Sequence, residues 1–268
     1  MTAPAILGFD FDGVLCNGLL EYFQTSWQAY CQVWQPDSPC PPEALADRFY
    51  RLRPVVETGW EMPVVLRAVL RGYSDADIFQ HWHTLSKDIL AAEGVAATTL
   101  HQLVDGIRDR WIATDLESWL GLHSFYPGVI DRLQTILQFD LPVAIISTKE
   151  GRFIQQLLAQ QGIDLTDIQI YGKEVKRPKY ATIRELRHVF GPELPFWFIE
   201  DRLQALHLVQ QQEDLQAIQL FLADWGYNTA DEREKADRDP GIHLLSLEQF
   251  QQDFNHWIGQ PASPRGYA

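Results

Sequence analysis

The feature that most constrains the fold is a series of short apolar runs, each of which precedes a loop and a segment with helical periodicity. Runs with so few polar side chains are too apolar for a sheet with one face in water, so they indicate parallel strands covered by helices on both faces. We therefore predict an α/β fold built on a doubly wound, Rossmann-like parallel sheet. The runs are AILGFD (5–10), LPVAIIS (141–147), DIQIYG (167–172), PFWFIED (195–201), QAIQLFLADW (216–225) and a weaker sixth, GIHLLS (241–246).

The interval between the first two runs is different, because it contains no buried strand. Helical segments such as LLEYFQTSWQAYCQVW and MPVVLRAVLRG alternate there with punctuation such as PDSPCPP and GYSDAD. We predict an all-helical cap domain at residues 19–123, inserted into a Rossmann-like core formed by residues 1–18 and 124–258. We expect the C-terminal residues 259–268, GQPASPRGYA, to be disordered.

Composition excludes several classes of protein. The chain has 268 residues, of which 46% are hydrophobic and 22% charged, as in globular proteins with a sizeable core. Its net charge of −14 opposes general affinity for nucleic acid, and no apolar run approaches the roughly 18 residues of a membrane span. The three cysteines show no CxxC pairing and are expected to be reduced. We expect a soluble, cytoplasmic protein with no nucleic-acid or membrane partner; the oligomeric state is not predicted.

Reactive side chains follow the apolar runs at the point where each strand would end. The side chains at the carboxyl ends of parallel strands meet in the crevice where open α/β folds bind their ligands. Carboxylates there can hold a divalent cation, while hydroxyl and ammonium groups can bind phosphate, as phosphoryl transfer requires. The residues concerned are Asp10 and Asp12, Ser147 and Thr148, Glu200 and Asp201, and the lysines Lys173, Lys176 and Lys179.

In their order and spacing these segments resemble the haloacid dehalogenase-like (HAD) hydrolase superfamily. DFDGVL (10–15) is similar to its first motif, and VAIIST, with Ser147, to its second. A lysine near a helix start and the strand FWFIED are similar to the third and fourth motifs. The resemblance covers about residues 4–18 and 124–250, while the helical insertion resembles the family's cap domain only in its type and location.

The resemblance implies a role for each matched position. Asp10 would be the nucleophile that forms an aspartyl-phosphate, and Asp12 would protonate the leaving oxygen and then activate water. Mg²⁺ would be held by Asp10, by the backbone carbonyl of Asp12 and by Asp201. Ser147, with the adjacent Thr148, would bind phosphoryl oxygens.

Two details stay open. For the phosphate-binding lysine we favour Lys179, because YATIREL after it has helical spacing and a helix N-terminus favours an anion; Lys176 is the alternative. The fourth motif has Glu200 where many relatives have Gly, and the acid that those relatives carry four or five positions later is absent. Either Glu200 replaces that acid at the metal, directly or through water, or it is structural.

The resemblance therefore implies a Mg²⁺-dependent phosphatase that acts on a small phosphorylated substrate. The alternatives are a phosphomutase or dehalogenase-type hydrolase with the same fold, or a non-catalytic interaction protein that retains it. Asp12 favours phosphate chemistry, because dehalogenases of the superfamily lack this second acid. In the helical insertion, Arg48, Arg51 and Arg53 either form a solvated face or bind an anionic group of the substrate.

Overall fold

The computed structural model describes residues 3–139 and 141–258, so the expected disorder of residues 259–268 lies outside the described residues. The chain divides into two compact units. Unit 1 comprises Met1–Asn17 and Phe125–Ala268, and unit 2 comprises Gly18–Ser124. Two short strands, Cys16–Asn17 and Ser124–Phe125, lie at the points where the chain passes between the units.

Apart from Ser124, where the strand Ser124–Phe125 begins, the regular structure of unit 2 is helical. Its helices are α1 (Leu19–Trp34), α2 (Leu45–Leu52), α3 (Glu61–Leu70), α4 (Asp75–Glu93), α5 (Ala97–Thr114) and α6 (Leu116–Leu120), with a 3₁₀ turn at Arg53–Val55. Helix α4 begins with a capping box, in which Ser74 and Asp77 satisfy each other's backbone amides. Apolar side chains spaced three and four residues apart, such as Val65 and Val69 of α3, form the core.

Several charged side chains of unit 2 form ion pairs. Glu21 of α1 is almost fully buried, and Arg108 of α5 donates to both of its oxygens at 2.7 and 2.9 Å. Arg48 and Arg51 both pair with Asp75, at 2.5 and 3.5 Å. These contacts favour a structural role for Arg48 and Arg51 over the binding of a substrate anion.

Unit 1 contains a six-stranded sheet in which every neighbouring pair is parallel. Its strands are β1 (Ile6–Phe9), β2 (Val143–Ile146), β3 (Ile168–Tyr171), β4 (Phe196–Glu200), β5 (Gln219–Ala223) and β6 (Ile242–Leu245). The strand order is β3-β2-β1-β4-β5-β6, so the direction of winding reverses between β1 and β4. This is the Rossmann-like order, and the prediction of a doubly wound parallel sheet is confirmed.

Helices cover both faces of this sheet. Those of unit 1 are α7 (Val129–Leu137), α8 (Gly151–Gln160), α9 (Lys179–Phe190), α10 (Leu203–Gln210), α11 (Ala230–Arg238) and α12 (Leu247–Phe250), with 3₁₀ turns at Lys173–Val175, Glu213–Leu215 and Phe254–His256. No helix in residues 3–139 or 141–258 is both long and apolar enough to cross a membrane.

Alternating strand residues form two apolar layers. On one face Ile6 and Phe198 pack with Ile183 and Leu186 of α9. On the other, Trp197 stacks with aromatic side chains that include Phe221, at 4.9 Å between ring centroids. Burying each such side chain contributes about 1.5–3 kcal/mol, so the strand ends on which the polar residues lie are firmly fixed.

Candidate active site

The first strand ends in a tight turn that carries two aspartates to the carboxyl edge of the sheet, at its switch point. The amide of Asp10 still donates to the Ile199 carbonyl of β4 at 2.9 Å, so Asp10 continues the sheet. The chain then turns, and the amide of Gly13 donates to the Cys16 carbonyl at 2.8 Å. Gly13 has φ +89°, and a Cβ placed on it would lie 2.1 Å from Asp201 Oδ2. Only glycine fits this turn, because the positive φ disfavours other residues and a side chain would collide with Asp201.

Lys179 connects the first and fourth strands through two ion pairs. Its Nζ atom lies 2.9 Å from Asp10 Oδ1 and 2.6 Å from Glu200 Oε2. Asp10 is 7% exposed and Glu200 is fully buried. Lys179 is the first residue of α9, directly after Pro178. The helix start therefore brings the ammonium group between two buried carboxylates.

Asp201 is fixed by the loop that follows β5. The amide of Tyr227 donates to Asp201 Oδ2 at 2.7 Å, and Asn228 Nδ2 donates to the Asp201 carbonyl at 3.0 Å and to the Ala223 carbonyl at 2.7 Å. Gly226 makes this approach possible, because an added Cβ would lie 2.2 Å from Asp201 Cβ. Backbone and side chain of Asp201 are both held in place before any ligand binds.

Burial changes the proton affinities of these groups. Desolvation, together with the charges of Glu200 and Asp12, raises the pKa of Asp10 to about 7, although Lys179 opposes the change. Desolvation, together with the charges of Glu200 and Asp10, also raises the pKa of Asp201 well above its usual value. Burial opposes the charge of Lys179, but Asp10 and Glu200 outweigh that effect and raise the pKa of its ammonium group. The cluster is therefore short of positive charge.

Oxygen atoms of Asp10, Glu200 and Asp201 lie within 4.8 Å of one another, which is close enough for one cation to bind all three. Hard carboxylate oxygens are the ligands that Mg²⁺ prefers. Asp10 Oδ1 is buried and forms an ion pair with Lys179 Nζ at 2.9 Å. The donor set thus fits a divalent cation.

Glu200 differs from the two aspartates, because both of its oxygens have protein donors. Its Oε1 accepts from the amides of Asp201 at 3.2 Å and Arg202 at 3.0 Å, and its Oε2 accepts from Lys179. An oxygen that already accepts such bonds is a weaker candidate for a metal ligand. The arrangement favours Glu200 as an anchor for Lys179.

The second strand contributes a hydroxyl and a second lysine. Ser147 is buried, and the amide of Lys149 donates to its Oγ at 3.3 Å. Lys149 Nζ lies 3.2 and 3.3 Å from the two oxygens of Asp12. Sequence reasoning did not select Lys149, although its position two residues after Ser147 at a predicted strand end was the available signal.

Two residues selected from the sequence lie apart from these contacts. Thr148 is exposed, and within the described residues its hydroxyl makes no hydrogen bond. Lys176 is exposed, has φ +48° and forms no ion pair with any residue that the structure describes. The structure thus brings Asp10, Lys179, Glu200 and Asp201 together, with Asp12 and Ser147 at neighbouring positions of the same sheet edge.

Similar solved structures share this architecture. A candidate phosphoglycolate phosphatase from Lactobacillus delbrueckii subsp. bulgaricus is 14% identical, with a TM-score of 0.62 and coverage of 97% of this chain and 100% of its own. A predicted phosphoglycolate phosphatase from Haemophilus somnus is 18% identical, with a TM-score of 0.57 and coverage of 91% and 95%. A haloacid dehalogenase-like family hydrolase from Streptococcus pneumoniae is 16% identical, with a TM-score of 0.52 and coverage of 92% and 95%.

Neither a protein-family model nor a curated protein matches the chain. The likeness to solved structures extends over nearly the whole chain, including the helical unit. At such low sequence identity it is evidence for the fold alone. The chain has the fold of the haloacid dehalogenase-like hydrolases, and the resemblance indicated by its motifs is confirmed at that level.

Proposed function

We propose that this protein is a Mg²⁺-dependent phosphatase of the haloacid dehalogenase-like superfamily that hydrolyses a small phosphorylated metabolite. The observation that carries the proposal is the cluster of Asp10, Lys179, Glu200 and Asp201 at the switch point of the sheet. A buried carboxylate beside an ammonium group suits nucleophilic attack on an anionic ester. Solved relatives described as candidate or predicted phosphatases give independent support.

The residues divide the chemistry between them. An Asp10 oxygen attacks phosphorus, the bond from phosphorus to the ester oxygen breaks, and Asp12 gives its proton to the leaving alkoxide. Water then attacks the aspartyl-phosphate and gives a proton to Asp12, so that Asp10 and inorganic phosphate are released. Ser147 and Lys179 bind phosphoryl oxygens during both steps.

A divalent cation would be held by Asp10, Asp201 and the backbone carbonyl of Asp12. When bound, Mg²⁺ lowers the repulsion between the Asp10 carboxylate and the anionic phosphate. Glu200 is not needed as a ligand in this proposal, because its oxygens already accept from Lys179 and two backbone amides. We further propose that unit 2 is the cap domain of the enzyme.

The test is release of inorganic phosphate from p-nitrophenyl phosphate and from a panel of phosphorylated metabolites that includes 2-phosphoglycolate. We expect hydrolysis that requires Mg²⁺ and stops when EDTA is added. Absence of phosphate release from every ester at saturating Mg²⁺ would rule out the proposed activity. Unchanged hydrolysis in EDTA, after exhaustive removal of metal, would rule out the role of the cation.

A further inference from the structure

Asp12 has a lysine of its own. Lys149 Nζ lies 3.2 Å from Asp12 Oδ1 and 3.3 Å from Oδ2, and the Lys149 side chain is only 9% exposed. Lys179 is held by Asp10 and Glu200, so the two aspartates of the first motif pair with lysines from different segments, the start of α9 and the loop after β2. An ammonium group that faces both oxygens restricts rotation of the carboxyl group as well as neutralising it.

The backbone on either side of Lys149 is fixed by a second set of contacts. The Lys149 carbonyl accepts from the amide of Lys173 at 2.9 Å. Glu174 connects this loop to the neighbouring one, because its two oxygens accept from the amides of Gly151 at 3.1 Å and Gly172 at 3.2 Å. A Cβ on Gly172 would lie 2.3 Å from the Gly151 nitrogen, so the two loops are in close contact. Lys149 therefore extends from a rigid base.

These contacts lower the pKa of Glu174, which stays a carboxylate although its burial opposes the charge. Hydrogen bonds to a charged acceptor are stronger than those between neutral groups, so Glu174 holds the two loops firmly together. The chain after β2 carries two residues of the site, Ser147 and, two positions later, Lys149.

We propose that Lys149 is the positioning residue for Asp12, holding its carboxyl group in the orientation from which it serves the leaving oxygen. This inference rests on the proposed phosphatase function and adds a residue to it. Lys149 acts through Asp12, whereas Lys179 acts on the phosphoryl group and the nucleophile. If Lys149 instead only bound phosphate, its replacement should lower kcat/KM equally for esters with different leaving groups.

The experiment compares two kinds of ester. A p-nitrophenolate leaves without a proton, whereas an alkoxide needs one, so only alkyl phosphates depend strongly on Asp12 as an acid. We expect Lys149→Met to lower kcat/KM about 100-fold on the best alkyl phosphate of the metabolite panel, and only a few-fold on p-nitrophenyl phosphate. Lys149→Arg should recover most of the loss on the alkyl ester, because it restores the cation.

Lys235→Met is the matched control, since Lys235 is an exposed lysine of α11 that pairs with Asp231 at 2.6 Å. It should leave both substrates unchanged. Equal losses on the two esters in Lys149→Met would overturn the positioning role in favour of phosphate binding, and no loss on either would remove Lys149 from the mechanism.

A structural measurement separates failure of this inference from failure of the proposed function. If the wild-type protein hydrolyses no ester, the phosphatase proposal fails, but the crystal structure of Lys149→Met still decides the positioning role. We expect the Asp12 side chain to leave its present rotamer or to occupy more than one. An Asp12 carboxyl group that stays in place in this variant would overturn the inference.

Discussion

At the scale of single residues, the site holds more negative than positive charge. Four carboxylates, those of Asp10, Asp12, Glu200 and Asp201, face the two ammonium groups of Lys149 and Lys179. The excess of about two negative charges is what a divalent cation would neutralise. Without it the proposed nucleophile, Asp10, holds its proton to about pH 7, because burial raises its pKa.

Asp10→Asn should abolish turnover and leave the fold intact. The amide has nearly the same shape but no oxygen that can form the covalent intermediate, and Lys179 keeps its contact with Glu200. We expect kcat to fall at least 1000-fold, on the order of losses seen when a nucleophile is removed. Phosphate release and circular dichroism would be measured together.

The matched control for this variant is Asp167→Asn, an exposed aspartate just before β3. It should retain wild-type activity. An Asp10→Asn protein that kept a tenth of the wild-type rate would exclude Asp10 as nucleophile.

Asp201 and Glu200 should respond differently to mutation. Asp201→Ala removes a proposed metal ligand, so the Mg²⁺ concentration for half-maximal activity should rise at least tenfold. Glu200→Ala instead removes the anchor of Lys179 and should lower kcat/KM with a smaller shift in the Mg²⁺ requirement. Titration of activity with Mg²⁺ distinguishes the two effects, and equal shifts would mean that both acids bind the ion.

The two candidate lysines of the third motif can be separated in the same assay. Lys179→Ala should lose about 100-fold or more in kcat/KM, because a preorganised charge contact is removed from a buried site. Lys176→Ala should change kcat/KM only a few-fold, since Lys176 is exposed and forms no ion pair with any carboxylate that the structure describes. The opposite ranking would assign the phosphate contact to Lys176.

At the scale of elements, the sequence predicts where the strands of the sheet end. An apolar run reports burial on both faces, and its last residue marks the edge of the sheet, so Asp10, Ser147 and Glu200 could be placed together before any coordinates. The helix start at Lys179 was equally visible, because YATIREL has a clear period. These signals are local in the chain.

Contacts between distant loops could not be read in this way. Tyr227 and Asn228 bind Asp201 from 26 and 27 residues away, and Glu174 fixes the loop of Lys149 through backbone amides that any residue possesses. Such contacts depend on how two loops are placed relative to each other in the fold. Neither the periodicity of apolar residues nor the composition of the chain predicts this placement. The glycines are the partial exception, since Gly13 and Gly226 mark where another chain segment passes closely.

Gly226→Ala tests the loop after β5 as an element. Its added methyl group would lie 2.2 Å from Asp201 Cβ and 2.5 Å from the Gly13 carbonyl oxygen, so backbone must shift. We expect a loss of about 1–3 kcal/mol in the free energy of unfolding, as for overpacking, together with weaker Mg²⁺ binding. Denaturant unfolding and calorimetry would measure the two.

Gly106→Ala in helix α5 provides the control, because a Cβ added there has room. The nearest atom to it would be a guanidinium nitrogen of Arg110, at 3.5 Å. Alanine there should be neutral or stabilise by about 0.5–1 kcal/mol. If Gly226→Ala also left the free energy of unfolding and Mg²⁺ binding unchanged, the close packing of this loop on Asp201 would contribute to neither.

At the scale of the whole molecule, the acidic site competes with the stability of the fold. The chain carries a net charge of −14, and three of its buried acids, Asp10, Glu200 and Asp201, lie together at one sheet edge. Holding such acids ionised costs folding free energy that a bound cation would recover, since a ligand that binds only the native state stabilises it. Stability, pH and Mg²⁺ should therefore be linked in this protein.

The pH dependence has a definite sign. The pKa of Asp10 is raised in the folded protein from 3.8 to about 7, so between these values the folded state keeps a proton that the unfolded chain has lost. The stability contributed by Asp10 is present below pH 3.8, decreases as pH rises through this window and is lost above about pH 7. Asp10→Asn lacks this titration. In EDTA, Tm of the wild type minus Tm of Asp10→Asn should thus become smaller or more negative between pH 4.5 and pH 8.

Saturating Mg²⁺ should reverse the trend, because the cation binds the ionised carboxylate and removes the penalty for its charge. The rise in Tm caused by Mg²⁺ should be larger at pH 8 than at pH 5, and Asp10→Asn should show a smaller rise at both. Thermal unfolding of the two proteins at each pH, with Mg²⁺ or with EDTA, gives all the required differences. A Tm difference in EDTA that stays constant across this range would show that Asp10 is already ionised without metal, and that Lys179 alone offsets the cost of its burial.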